Sequence, residues 1–126
     1  MDNNIRIGRI SSVDYAKGMV KIVYRDKDNS VTNDLPYINM NGEYKMPNID
    51  DMVLALHLSN GSAMAIVIGT FWSGCNKPVE SGKGIYRKEM GSIPGEAYIR
   101  YDSNSKVLSL MADTVQIITE KDIITY

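Results

Sequence analysis

Residues able to do chemistry are few in this chain, and they stand apart. The single histidine, His57, lies inside the run Asp51-Met52-Val53-Leu54-Ala55-Leu56-His57-Leu58. An imidazole works as a base or a metal ligand only beside a partner of matching chemistry. No such turn is expected next to it, so His57 reads as a satisfied core or interface histidine. Cys75, in Ser73-Gly74-Cys75-Asn76, lacks the neighbouring base that would make its thiol a nucleophile. Asp50 and Asp51 are adjacent carboxylates at a strand start, where successive side chains point to opposite faces and cannot share a proton. Gly82-Lys83-Gly84 has the flavour of a phosphate loop but is not followed by the helix such a loop requires. Nothing here supports catalysis, a cofactor or a metal site. The expectation is a protein that is not an enzyme.

The elements that would position these residues are strands. The chain has 126 residues, enough for one domain with its own core and a small appendage. β-Branched residues abound and the dominant period is two, so the fold class reads as all-β. Fourteen Lys and Arg balance fifteen Asp and Glu, which disfavours a binder that works by neutralising phosphates. One Cys and one His exclude an internal disulfide framework and a zinc cluster. Met1-Asp2-Asn3-Asn4 lacks the basic start and apolar run of a signal peptide, and the longest apolar stretch is too short to cross a membrane. A soluble product made inside the cell is expected.

Ile5 to Asp14 opens as a first strand and Asp14 to Gly18 is its turn. Met19 to Arg25 is a second strand with Val20, Ile22 and Tyr24 on one face. A polar turn over residues 26–30 leads to a third strand from Val31 to Leu35, closed by Pro36. The strongest local signal is Asn60-Gly61 between two apolar runs, a hairpin with a type I′ turn. That loop would set Leu58 opposite Ala63 and Leu56 opposite Ala65. One face then carries Leu54, Leu56, Leu58, Ala63, Ala65 and Val67, the other Val53, Ala55, His57, Met64, Ile66 and Ile68. Both are apolar, where a half-solvated hairpin should alternate with polar residues. A second subunit is the simplest cover, making Val53, Ala55, Met64, Ile66 and Ile68 candidates for a subunit interface.

Residues 73–96 are polar and punctuated by Gly and Pro, and read as a linker or extension between a barrel over 1–72 and a tail over 97–126. The tail holds four short strand candidates, Ala97–Tyr101, Lys106–Met111, Thr114–Ile118 and Ile123–Tyr126. Such short strands cannot bury a core alone. Five strands ending in a tight hairpin make an OB-like barrel, a fold that often binds nucleic acids or sugars. Tyr15, Tyr24 and Tyr37, with Arg9, Lys17, Lys21 and Arg25 nearby, offer a possible stacking surface. A module for single-stranded nucleic acid or glycan is the alternative reading, which the neutral charge disfavours.

The order of segments resembles the phage baseplate assembly protein V family, the central spike or hub of contractile tails. Type VI secretion spikes and R-type tailocins carry similar modules. The likeness rests on Arg6-Ile7-Gly8-Arg9-Ile10, Asp34-Leu35-Pro36-Tyr37, Met46-Pro47-Asn48-Ile49-Asp50-Asp51-Met52-Val53-Leu54, Ala65-Ile66-Val67-Ile68-Gly69-Thr70-Phe71-Trp72, Asn76-Lys77-Pro78 and Ile99-Arg100-Tyr101-Asp102. It spans nearly the whole chain. It implies an N-terminal OB-fold barrel followed by a short C-terminal β-helix or β-prism intertwined in a homotrimer. In that trimer Leu108, Leu110, Val115 and Ile117 would face the axis, with Ser109, Thr114 and Gln116 outside. Implied partners are other baseplate, hub and tail-tube proteins and, transiently, the target cell envelope, with no nucleic acid. Implied localisation is the centre of a virion or tail-like particle assembled in the bacterial cytoplasm. Many members end in a His-x-His apex that binds iron. The only histidine here is His57, so that tip is not implied, and Ile123, Ile124 and Tyr126 become candidates for docking a separate tip protein. No length is left for the cell-wall hydrolase domain that some larger relatives carry.

Overall fold

In the computed structural model, which describes residues 4–58 and 64–126, the chain is all-β, its strands joined by turns and one 3-10 turn at Arg25–Lys27. It divides into two compact units, the first ending at Asn76 and the second running from Lys77 to Tyr126.

The first unit is organised around β1 (Ile5–Asp14), which pairs antiparallel with β2 (Met19–Tyr24) along one edge and β5 (Met52–His57) along the other. β5 continues antiparallel to β6 (Ala65–Thr70). The β1–β2 turn closes as its residues dictate: Gly18 takes a positive φ of 66°, and the Asp14 carboxylate accepts the Lys17 amide at 3.2 Å. The expected third strand is divided into β3 (Ser30–Val31) and β4 (Leu35–Pro36), each paired with a different part of β2. The cause is Thr32, whose hydroxyl oxygen accepts the Ile22 amide at 3.0 Å in place of a backbone carbonyl. Beyond β4, Tyr37 makes a parallel bridge to Val67, and the Ile38 amide donates to the Val67 carbonyl at 2.9 Å. The sheet therefore returns on itself in the order β1–β2–β4–β6–β5–β1.

Inside that ring sit Ile10, Val20, Ile22, Tyr24, Leu35, Val53, Ala55, Ala65 and Val67, all buried, with Val13, Tyr37 and Met46 packed against them. The alternation Val20, Ile22, Tyr24 faces inward as its period of two requires. Gly8 lies between them on β1. A Cβ at this position would stand 2.3 Å from Ile22 Cγ2 and 2.9 Å from the Tyr24 ring, so only glycine lets these core side chains reach the strand.

The second unit has a three-stranded antiparallel meander of β7 (Ile85–Glu89), β8 (Tyr98–Asp102) and β9 (Val107–Met111). A separate hairpin joins β10 (Gln116–Ile118) to β11 (Ile123–Thr125). The last four strands fall within a residue or two of their expected places. β7 was not expected: it lies inside the stretch 73–96 read as a linker, and the unit boundary falls at Asn76 rather than at 72. Its Arg87, Lys88 and Glu89 disguised it, because the cross-strand partners that neutralise such charges are far away in sequence.

Candidate interaction surfaces

The β5–β6 pairing decides which hairpin residues face outward. Its register sets His57 opposite Ala65, Leu56 opposite Ile66 and Ala55 opposite Val67. That is one residue away from the register expected from an Asn60-Gly61 loop; the loop itself lies outside the described residues. A one-residue slip exchanges faces along a strand. Val53 and Ala55 thus join Ala65 and Val67 in the core, each at most 2% exposed, which corrects their assignment to a subunit interface. Met64, Ile66 and Ile68 point the other way and join Leu54, Leu56 and Leu58, the residues the expected register had placed opposite them. A bulge at Ile68 shifts the ladder again, and Gly69 absorbs it with a φ of 130°.

This outer stripe crosses three strands. β1 sets Ile5 beside Leu56 and Ile7 beside Leu54, so the line Ile5–Leu56–Ile66 runs unbroken over β1, β5 and β6. Ile5 is 61% exposed and Met64 59%. A contiguous apolar patch of this kind makes the stripe a candidate interaction surface.

His57 closes the inner face at one end of β5. Its Nε2 is 2.7 Å from the Tyr24 hydroxyl, and the two rings lie 5.7 Å apart at a tilt of 49°. The Arg6 guanidinium covers the Tyr24 ring at 5.5 Å. Burial first, then the charges of Arg6 and Lys27, hold the imidazole below its ordinary range. Burial likewise raises the Tyr24 hydroxyl. The histidine is thus hydrogen-bonded within the first unit. Because its folded pKa is depressed, the fold prefers the neutral ring. Stability is lost as pH falls from about 6.5, the ordinary histidine value, through the folded value. Melting curves at pH 7.5 and 5.5 should show a loss in Tm that shrinks in His57→Gln, and an unchanged loss would refute this account.

Cys75 is free and exposed. Asp51 accepts the Asn48 amide at 2.9 Å, and the Asp50 carbonyl accepts from Arg9 at 3.0 Å, so this pair serves the turn into β5. No cluster of three or more His, Cys, Asp or Glu side chains able to hold a metal occurs among the described residues. Tyr24 is buried and Tyr37 packs on the core, leaving Tyr15 alone of the three tyrosines as an exposed ring.

In the second unit the pairing of β7, β8 and β9 segregates chemistry by face. Tyr86, Tyr101 and Leu108 are cross-strand neighbours, as are Lys88, Ile99 and Leu110. Arg87, Arg100 and Ser109 lie on the opposite face, between a row of Glu89, Tyr98 and Met111 and a row of Ile85, Asp102 and Val107. There Glu80 grips Arg100 with both oxygens, at 2.7 Å each to Nε and Nη2, and meets Arg87 at 3.2 Å. Arg87 also bonds Glu89 at 2.6 Å and stacks over the Tyr98 ring at 3.7 Å. The hydrogen bond from Arg100, seconded by Arg87, lowers the Glu80 pKa. Leu108 and Leu110 thus share a face opposite Ser109, as their alternation indicated. Sequence reasoning missed Tyr86, Ile99 and Tyr101 beside them. In the hairpin, Val115, Ile117, Ile124 and Tyr126 share one face, while Ile123 lies with Ile118 on the other. No residue from Lys77 to Tyr126 is buried.

No family model matches the chain, and the search of curated proteins found no match.

Proposed function

We propose that the chain is a structural hub protein that works as a homotrimer at the centre of a contractile tail or tail-like particle. The observation that carries this reading is the amount of surface left uncovered. The chain exposes 9410 Å². Two separate compact units of these lengths would together expose only roughly 8,000 Å². The surplus, about 1,400 Å² per chain, divides between the two contacts each chain makes in a trimer as about 700 Å² apiece, close to the ~800 Å² that each partner contributes to a standard stable interface. The closed strand order of the first unit, with its parallel approach of Tyr37 to Val67, supports an OB-fold barrel. The outer stripe along Ile5, Leu56 and Ile66, and the bare sheets of the second unit, are the surfaces a trimer would share. The short strands of that unit would wrap into a β-prism with those of two other chains, giving a stiff rod without free edges. Baseplate, hub and tube proteins would flank it, and Ile123, Ile124 and Tyr126 would receive a separate tip protein.

Light scattering at micromolar concentration is expected to give three times the chain mass. A monomer under those conditions rejects the proposal. The hub role is checked by co-purification: tagged chain should recover tail-tube and baseplate proteins from producing cells in fixed stoichiometry.

A further inference from the structure

We infer that Asn41 is a site of spontaneous modification, where its side-chain amide is lost to attack by the Gly42 nitrogen, and that Asn39 restrains this reaction in the folded chain. Asparagine followed by glycine is the pairing in which such attack is easiest, because no Cβ on the second residue crowds the approach. Asn41 and Gly42 form a two-residue turn between Met40 and Glu43, which pair antiparallel. Their φ values are 55° and 85°, and the Glu43 amide donates to the Met40 carbonyl at 3.1 Å, the pattern of a type I′ turn. Both residues are exposed, so water reaches them.

In the first step the Gly42 nitrogen gives up its proton to solvent and bonds to Asn41 Cγ. That carbon expels Nδ2, which takes back a proton and leaves as ammonia, and a five-membered succinimide remains. Water then opens the ring at one of its two carbonyls, leaving aspartate or isoaspartate. Water is the one co-reactant. The isoaspartate product runs the backbone through the former side chain and so lengthens the turn by one carbon. Either product adds a negative charge beside Glu43. Met40 and Glu43 line an open cavity with Tyr37, Lys45, Ile68 and Thr70, so the change alters its rim.

Two features of the fold oppose the first step. A type I′ turn sets ψ at its first residue near about +30°, which directs the Gly42 nitrogen away from the Asn41 side chain. Rotating it toward Cγ opens the pairing of Met40 with Glu43. The Gly42 amide also donates to Asn39 Oδ1, and a proton held in such a bond is harder to remove. The Asn41 amide donates to the Asn39 carbonyl at 3.2 Å, so residue 39 anchors the turn through backbone and side chain together. Of the two bonds, substitution at residue 39 removes only the second.

The test incubates the full chain and its Asn39→Ala and Asn39→Asp variants at mildly alkaline pH, each folded and in guanidinium. Peptide mass spectrometry locates at residue 41 the mass gain of an amide turned to acid, and an isoaspartyl methyltransferase assay counts the isoaspartate. Folded chain should convert at residue 41 at least ten times more slowly than the same chain in guanidinium. Folded Asn39→Ala should convert at least three times faster than the parent, while Asn39→Asp, which keeps an acceptor oxygen, should stay close to it. Conversion of the folded parent as fast as in guanidinium overturns the restraint by the fold. Asn39→Ala at the parent's rate, or Asn39→Asp as fast as Asn39→Ala, overturns the role of Oδ1, since general loosening of the turn would speed both variants alike. No conversion at residue 41 even in guanidinium overturns the site itself.

Discussion

Val67→Asp is expected to abolish folding of the first unit, whereas Ile66→Asp, one residue earlier on the same strand, should leave a folded, soluble chain that no longer assembles. Val67 is 0% exposed at the centre of the ring and lies opposite Ala55, with no polar group there to receive a carboxylate. An unpaired buried charge costs several kcal/mol, a large part of the roughly 5–15 kcal/mol that holds a domain together. Ile66 faces out, where Asp meets water and costs little to the unit itself. What it removes is the middle of the stripe from Ile5 through Leu56 to Ile66. Circular dichroism melts separate the two effects, and light scattering reads assembly. Unfolding by both variants would show that the outer face is core after all, and retained assembly by Ile66→Asp would free the stripe of any role in association.

The second large effect is expected at Gly8. Gly8→Ala adds one methyl group, at a point 2.3 Å from Ile22 Cγ2. That atom is a branch methyl close to the β2 backbone, and the Tyr24 ring at 2.9 Å is held by its bond to His57, so neither can swing aside cheaply. Overpacking of this kind costs about 1–3 kcal/mol, which lowers Tm by roughly 5–20 °C in a unit of this size. Ile22→Ala alone should also destabilise, by about 2–5 kcal/mol, through the cavity it leaves. Combining the two removes the methyl that collides and fills part of the void, so the double variant should be clearly more stable than the summed losses. Additive losses would mean that the two side chains do not meet.

Much of the first unit was legible because its signals are local. β1 and β2 are marked by alternation and by the glycine turn between them, and the inward set Val20, Ile22 and Tyr24 follows from the period of two. The face assignment of β5 and β6 was not legible in the same way. Every residue from Val53 to Leu58 except His57 is apolar, so alternation carries no sign, and the register hung on a loop length that a single residue changes. His57 held the missing clue: a lone polar side chain in such a run sits where it can be bonded, here by inward-facing Tyr24, and that fixes Val53 and Ala55 on the inner face with it. β7 escaped notice for a related reason. Its charges look like those of a loop until Glu80 and Arg100 are brought against them, and no sequence pattern announces a contact across twenty residues.

The uneven distribution of the core also sets an order of events in the making of the protein. Among the described residues the buried hydrophobic core falls entirely between Ile10 and Val67, so a chain emerging from the ribosome can complete its first unit while the second is still being synthesised. That step is unimolecular and indifferent to concentration. No residue of the second unit is fully buried, so in the trimer proposed above its ordering would wait on encounter with other chains, a step whose rate rises with their number. Dilution should therefore melt the trailing half first and leave the leading half intact. In the cell, chains translated close together on one message would finish sooner than the same chains scattered.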